Sequence, residues 1–259
     1  MPQSTRPKPL QMNVGAYLDA QRAGLDLSAP LAGQDAATHA KIVAHVPVYA
    51  TYAILSNNAY DRPAPLPLPA EWSKAESSDP GKGLAYTVYV RREDRQIKEV
   101  AVAFRGTDDV RDWMQNLDLV YREQGHKAQD AFAQVIERYG KPGVRIAATG
   151  HSLGGGLALE MALKFSDVDA IAFDCSPILK GGDSPNMHSR RTSIWEAGEV
   201  LEPLRDLKSE WLHEWRGTEL VEVNLERGSP LKQHKIEPLA RSLIKLAALY
   251  SAPFRELRI

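Results

Sequence analysis

The stretch Gly150-His151-Ser152-Leu153-Gly154 limits what this chain can fold into more than any other part of it. It is a G-x-S-x-G sequence with fitting neighbours on both sides. Val144–Thr149 is a run of small and branched residues that reads as a short buried strand, and Leu153–Phe165 is an apolar run opening on glycines that reads as a helix. A serine at so abrupt a strand-to-helix turn is held in a strained backbone conformation. Side chains at positions 150 and 154 would collide with the adjoining strand and helix, so glycine stands at both. The turn presents the Ser152 hydroxyl as a candidate nucleophile. It also aims the Leu153 N–H toward the place where an oxyanion would form, near the positive end of the new helix.

Length and composition leave room for one sizeable domain around this motif. Of the 259 residues 43% are hydrophobic, enough for a full core. Lys and Arg total 32 against 33 for Asp and Glu, a formal net charge of -1, and no basic run marks a nucleic-acid partner. Cys175 is the only cysteine, so no internal disulfide can close, and it reads as a small buried residue at a strand end. Met1–Leu10 holds prolines and charges where a secretory signal would carry an apolar run, and no stretch approaches the ~18–20 apolar residues of a membrane span. The expectation is a soluble chain, cytoplasmic at synthesis, with signal-independent export left open. No cofactor and no metal site is expected.

Residues 1–35 are polar and broken by proline and glycine, and read as a loosely attached arm; residues 36–259 read as a single α/β domain. Ala36–Tyr60 has helical spacing with Pro47 as a kink or break, and Pro63–Pro69 is an extended loop. Leu84–Arg91 and Ile97–Arg105 read as a hairpin joined by the charged turn Arg92–Gln96. Helical patterns follow at Val110–Leu119 and Gln124–Tyr139. Beyond the motif come a strand at Val168–Asp174, a loop at Gly181–Asn186, and strands at Thr192–Glu196 and Glu219–Leu225 separated by a helix over Leu204–Trp215. Ile236–Tyr250 is an amphipathic terminal helix. Alternating strands and helices predict a largely parallel central sheet flanked by helices on both faces.

Phe104-Arg105-Gly106-Thr107, followed by Asp112-Trp113 and Asn116-Leu117, is a second motif. Together with Thr149–Gly155, in this order and at this separation, it resembles the class 3 lipase family of α/β-hydrolases, a resemblance that spans about Leu84–Leu239. The resemblance implies an α/β-hydrolase fold and a serine hydrolase. It assigns Thr107 an oxyanion-hole N–H, paired with that of Leu153, and makes His151 a structural neighbour of the nucleophile. Preset donors of this kind are worth ~2.7–4 kcal/mol each in the transition state.

A serine needs a base, and in α/β-hydrolases the order along the chain is Ser, acid, His. His39, His45, His126 and His151 precede Ser152, which leaves His188, His213 and His234. The resemblance favours His234, in a loop after the last strand and before the terminal helix. For the acid, it aligns Ala197-Gly198-Glu199-Val200-Leu201-Glu202-Pro203-Leu204 with a segment in which the family carries aspartate, so Glu199 takes the position with a longer arm. Glu196, Glu202 and Asp183 stay open as rivals.

Val110–Leu119 falls where this family carries a lid, with Trp113, Leu117 and Val120 as its lipid-facing side; the alternative, equally open, is that Asp112-Trp113 and Asn116-Leu117 are fixed structure and the lid is supplied elsewhere. Leu204–Trp215 puts Leu204, Leu207, Trp211, Leu212 and Trp215 on one helical face and Arg205 off it, fitting a face packed on the body, a cap over the pocket or a helix at a membrane surface. The implied partner is a lipid or acyl-ester substrate, with transient contact to a membrane surface. Three functional classes fit: a serine ester hydrolase of lipase or phospholipase A type, an acyltransferase with the same residues, and a non-catalytic module on a lipase-like fold. Hydrolysis leads, because a candidate for every catalytic role is present.

Overall fold

The computed structural model describes residues 9–78, 83–107, 117–177, 186, 188–205, 217–224 and 229–259, the side chains of 117–122 excepted. Its centre is an eight-stranded sheet. In chain order the strands are β1 (Leu10–Asn13), β2 (Trp72–Ser77), β3 (Tyr86–Glu93), β4 (Gln96–Phe104), β5 (Arg145–His151), β6 (Val168–Phe173), β7 (Arg191–Glu196) and β8 (Thr218–Asn224). The helices are α1 (Val14–Arg22), α2 (Ala36–Asn58), α3 (Leu117–Tyr139), α4 (Leu153–Lys164), α5 (Pro230–Gln233), α6 (Ile236–Tyr250) and α7 (Ala252–Arg255). Across the sheet the order is β1-β8-β7-β6-β5-β4-β3-β2. Only β3 runs against the other strands.

From β4 to β8 each strand is laid beside its predecessor, always stepping the same way. Right-handed crossovers then put the connecting helices on one face. On that face Val100, Val102 and Phe104 of β4 pack with Phe132 of α3 and Leu157 of α4. Period-two alternation turns Ala101 and Ala103 to the opposite face, which the crossovers cannot reach. Segments before and after the crossover region cover it, with Ile42 and Val46 of α2, Leu239 and Leu243 of α6, Tyr17 of α1 and Phe254 of α7 sharing one apolar cluster. A mostly parallel sheet with helices on both faces is the α/β-hydrolase architecture.

Several elements depart from the sequence reading. The segment read as a loose arm supplies β1, which pairs in parallel with β8, and α1, whose Val14, Tyr17 and Ala20 are buried. Its polar composition hid this, because the burial needs only a few apolar positions. Pro47 does not break α2, which runs unbroken through it. Buried residues from His39 to Asn57 hold the helix on both sides of the missing N–H, and Thr51 Oγ1 donates to the Pro47 carbonyl at 2.9 Å. The hairpin turn is two residues, Asp94 and Arg95, both at positive φ. β5 extends past Thr149 to His151. β2, α5 and α7 were not anticipated. The helical patterns at Val110–Leu119 and Gln124–Tyr139 meet in α3 from Leu117 onward, while residues 110–116, with Trp113, lie outside the described residues. So do Leu207, Trp211, Leu212 and Trp215; Leu204 is partly buried against the crossover-face core.

No helix among the described residues is long and apolar enough to cross a membrane. If β1 and α1 are integral to the fold, Tyr17→Ala, which empties a site 1% exposed, destabilises the protein by about 3 kcal/mol or more. In a chain of this size that lowers Tm by roughly 6–12 °C. Thermal unfolding followed by circular dichroism measures this, and an unchanged Tm would restore the loose-arm reading.

Candidate active site

The C-terminal ends of the central strands bring five chain segments together. β5 ends at His151, and Ser152 turns the chain into α4 with φ 58° and ψ −125°. The conformation is held from several directions. Ser152 N–H donates to the Phe173 carbonyl at 3.0 Å, and the Ser152 carbonyl accepts from Gly155 (3.1 Å), Gly156 (3.2 Å) and Ser176 (2.9 Å). A Cβ at Gly150 would sit 2.8 Å from the Phe104 carbonyl oxygen and closer still to Gly154, and one at Gly154 would strike the Phe104 carbonyl. Glycine at both positions therefore lets β4, β5 and α4 meet. As the first residue of α4, Leu153 has an N–H with no intrahelical acceptor.

His234 follows α5 and faces Ser152 from the other side. Its Nε2 lies 3.1 Å from Ser152 Oγ and its Nδ1 lies 2.7 Å from Glu199 Oε2. A carboxylate only accepts, so Nδ1 carries the hydrogen and Nε2 is left to accept from the serine hydroxyl. All three residues are buried. Glu199 Oε2 also accepts from the Leu201 N–H at 2.8 Å, and Oε1 is paired with Arg205. Burial pushes the Glu199 carboxyl up, but the Arg205 guanidinium and then the His234 ring outweigh it and hold it below the ordinary carboxylate range.

Among the rival acids, Glu202 accepts from Trp195 Nε1 (3.3 Å) and the Gly198 N–H (2.5 Å), and Asp183 lies outside the described residues. Glu196 is buried, and its N–H is taken by Asp174. His188 is exposed and His213 lies outside the described residues.

Three further residues were not singled out for the site by sequence. Arg205, read as a polar-face residue, is 1% exposed; its second arm donates to the Cys175 carbonyl at 2.6 Å, and its guanidinium lies 5.4 Å from the Trp195 ring centre. Tyr60, just past α2, holds His151: its hydroxyl is 2.8 Å from His151 Nδ1, while His151 Nε2 is 2.7 Å from the His234 carbonyl oxygen. Because that carbonyl only accepts, Nε2 carries the hydrogen and Nδ1 accepts from Tyr60. Burial, and then the neighbouring His234, push His151 well below the usual histidine range, so it stays neutral. Ser56 Oγ, 2.8 Å from Thr149 Oγ1, pins the end of α2 to β5 and so sets Tyr60 in place.

The third is Asp174, at positive φ after β6 and fully buried. Its Oδ1 accepts from the Glu196 N–H at 2.9 Å, and its Oδ2, 3.9 Å from His151 Nε2, has no hydrogen-bond partner among the described residues. Burial and then the Glu199 charge push this carboxyl well above the ordinary range, toward the neutral acid. His151, Asp174 and His234 offer ligand atoms within 4.8 Å of one another, but the histidine nitrogens are already engaged as described. An aspartate at a strand end was visible in the sequence; its burial and its neighbours were not.

Gly106 shows why the Arg105-Gly106-Thr107 segment carries glycine, since a Cβ there would lie 2.5 Å from the His151 carbonyl oxygen and 3.1 Å from Ser152 Cβ. The chain thus passes directly beneath the turn, and Thr107, half-buried, fronts a cavity of about 740 Å³ together with His151 and His234. Residues 108–116, including Asp112-Trp113 and all of the expected lid before Leu117, lie outside the described residues.

A family model described as a Tle-like phospholipase domain, phospholipase-like, matches residues 51–180. That span contains Tyr60, Thr107 and Ser152 and ends before Glu199 and His234. No curated protein sequence matches the chain. Among solved structures, it is similar to a predicted CIB-like hydrolase from Thermoplasma acidophilum, at 17% identity over 68% of this chain and 99% of that one, with TM-score 0.40. It is also similar to a thermostable esterase from Pseudomonas putida ECU1011, at 12% identity over 95% and 97% of the two chains, with TM-score 0.37.

The state of Asp174 has a stability signature. Below about pH 3.9 the carboxyl is protonated in folded and unfolded chains alike. As pH rises, the unfolded chain loses its proton while the folded chain keeps it, so the wild type loses stability relative to a neutral isostere. Asp174→Asn keeps the Oδ1 acceptor and tolerates positive φ. It should therefore match the wild type near pH 4 and exceed it at pH 7 by roughly 2–4 °C in Tm, the shift made by about 1 kcal/mol. Paired melts across this range decide it; an Asn variant less stable at pH 7 than at pH 4, relative to wild type, would show that the aspartate is ionised.

Proposed function

Because the chain belongs to the Tle-like phospholipase domain family, hydrolases of the lipase and esterase type, we propose that it is a serine hydrolase cleaving an acyl ester of a glycerophospholipid, in the manner of a phospholipase A. The observation that supports this most directly is the continuous path from Ser152 Oγ through the His234 ring to Glu199, at 3.1 and 2.7 Å. The distances suit a general base and the group that orients it.

In this reading Ser152 Oγ attacks the ester carbonyl carbon as its proton passes to His234 Nε2. The carbonyl oxygen becomes an oxyanion, met by the N–H groups of Leu153 and Thr107. Glu199, kept ionised by Arg205, stabilises the imidazolium. His234 then returns the proton to the departing alcohol oxygen, which leaves an acyl group on Ser152. Water, deprotonated by the same imidazole, attacks the acyl-enzyme, and fatty acid departs with Ser152 reprotonated. Neutral His151 supports the base from behind through the His234 carbonyl. It adds no second positive charge beside the imidazolium.

Ser152→Ala should lower kcat on phospholipid by ~10⁴-fold or more and abolish labelling by a fluorophosphonate, with the melting curve unchanged. Glu199→Gln should lower kcat by about 10²–10⁴-fold, while Glu199→Asp retains part of it. Fatty-acid release and active-site labelling are the measurements. Turnover by Ser152→Ala at the wild-type rate would refute the assignment.

A further inference from the structure

The cavity beside His234 has a charge that the ester chemistry does not use. It runs from Thr107 and His234 along the outer face of α6, where positions 238, 241, 242 and 245 stack at helical spacing. Among the described residues four cations line it, Arg62, Lys235, Arg241 and Lys245, against a single acid, Glu237. The chain as a whole has a net charge of -1, so this wall is a local concentration of positive charge. Glu237 does not cancel it. Its Oε1 is 3.1 Å from Arg241 Nε and 3.0 Å from Nη2, and its Oε2 is 3.9 Å from Arg62 Nη1. One carboxylate thus orients two guanidinium groups and leaves donors of both free to face the cavity. Arg62 is steadied further by the Asn57 side-chain carbonyl at 3.1 Å and by the Tyr60 ring, 4.8 Å away. Lys235 and Lys245 are exposed and make no ion pair with the described residues.

We propose that this cavity is a phosphate subsite, taking the phosphodiester head group of a glycerophospholipid while the neighbouring acyl ester lies against Ser152 and His234. The inference rests on the function proposed above and adds what selects the substrate. A neutral glyceride offers these cations no opposing charge, whereas a phosphate presents charged acceptor oxygens that match guanidinium forks and lysine ammonium groups. The placement fits the substrate's covalent geometry: in a glycerophospholipid the phosphate and the acyl ester are borne by the same glycerol unit, and Thr107 and His234 share the cavity wall with the cations. About 740 Å³ falls within the usual range of small-molecule sites. Head groups with a net negative charge gain most, because among the described residues Glu237 is the one acid on the cavity wall that could favour a choline or ethanolamine cation.

The full chain is assayed on monomeric substrates below their aggregation limits: dihexanoyl-phosphatidylglycerol, dihexanoyl-phosphatidylcholine and the neutral ester dibutyrin. The wild type should prefer phosphatidylglycerol to dibutyrin in kcat/KM. Arg241→Ala/Lys245→Ala should reduce that preference at least about tenfold, mainly through KM, as expected for lost ground-state binding. sn-Glycerol 3-phosphate should inhibit dibutyrin hydrolysis competitively where glycerol does not, and the double variant should weaken that inhibition about tenfold. Inorganic phosphate that inhibits as well as glycerol phosphate would reduce the site to a free-anion site and overturn the head-group assignment. Equal losses on phosphatidylglycerol and dibutyrin would overturn phosphate recognition. A loss seen on anionic vesicles but absent on the monomeric lipid would overturn the subsite in favour of a membrane-surface role. Both substituted side chains are partly or fully exposed, and matched melting curves establish that the variant is folded. If the wild type cleaves no ester at all, the hydrolase reading itself fails; Ser152-dependent cleavage without phosphate preference leaves that reading standing and refutes this one.

Discussion

The arrangement depends on how closely three backbone segments approach one another at Ser152. β4 ends at Phe104, β5 at His151, and α4 starts at Leu153 with only Ser152 between, the Phe104 carbonyl wedged against Gly150 and Gly154. Any side chain there would force the sheet and helix apart. The serine itself sits at a positive φ that costs on the order of 1–3 kcal/mol, and the bonds to Phe173 and Ser176 hold it there. That strain and packing aim Oγ out of the sheet edge toward His234, and they leave the first N–H of α4 without an intrahelical acceptor. The Arg105-Gly106-Thr107 segment is placed by the same contact, since Gly106 passes under the His151 carbonyl.

Burial of charge is the second constraint. Glu199, Asp174 and Arg205 lie together in the interior, where one cation cannot comfortably balance two anions. Contact geometry divides the roles. Arg205 is paired directly with Glu199, whose remaining oxygen is filled by Leu201 and His234, and this carboxylate stays ionised. Asp174 has no such partner among the described residues and is pushed toward the neutral acid. The same guanidinium ties Glu199 to the Cys175 carbonyl, just beyond β6, so the acid is held by the sheet as well as by its own loop.

His234 is gripped from two directions, by Glu199 on its ring and by His151 on its backbone carbonyl, and its ring lies 4.8 Å from that of His151. Tyr60 keeps His151 in the tautomer that can donate. α2 therefore serves the site at a distance: its apolar length covers a sheet face that right-handed crossovers leave bare, and its end delivers the tyrosine. On the far side of His234 the chemistry changes character. The interior network is tightly paired, whereas the wall of α6 presents cations to an open cavity.

What the sequence determined by itself was local. Glycine at 150 and 154 around Ser152, an apolar strand before it and an apolar helix after it are demands that neighbouring residues make on one another, so the turn and the alternation of strands and helices around it could be read directly. Ser152, Glu199 and His234, singled out by chain order and family resemblance, lie together because the strand ends on which they ride share one sheet edge. Tertiary structure alone decided the rest. Met12 and Tyr17 belong to the core because a bare sheet face and an open edge beside β8 needed covering. Pro47 stays within a helix because burial on both sides outweighs one missing hydrogen bond. Tyr60, Arg205 and Asp174 carry no motif. Each matters through partners up to 91 residues away along the chain, and a buried charge or hydroxyl gains its meaning only from the groups that folding sets against it.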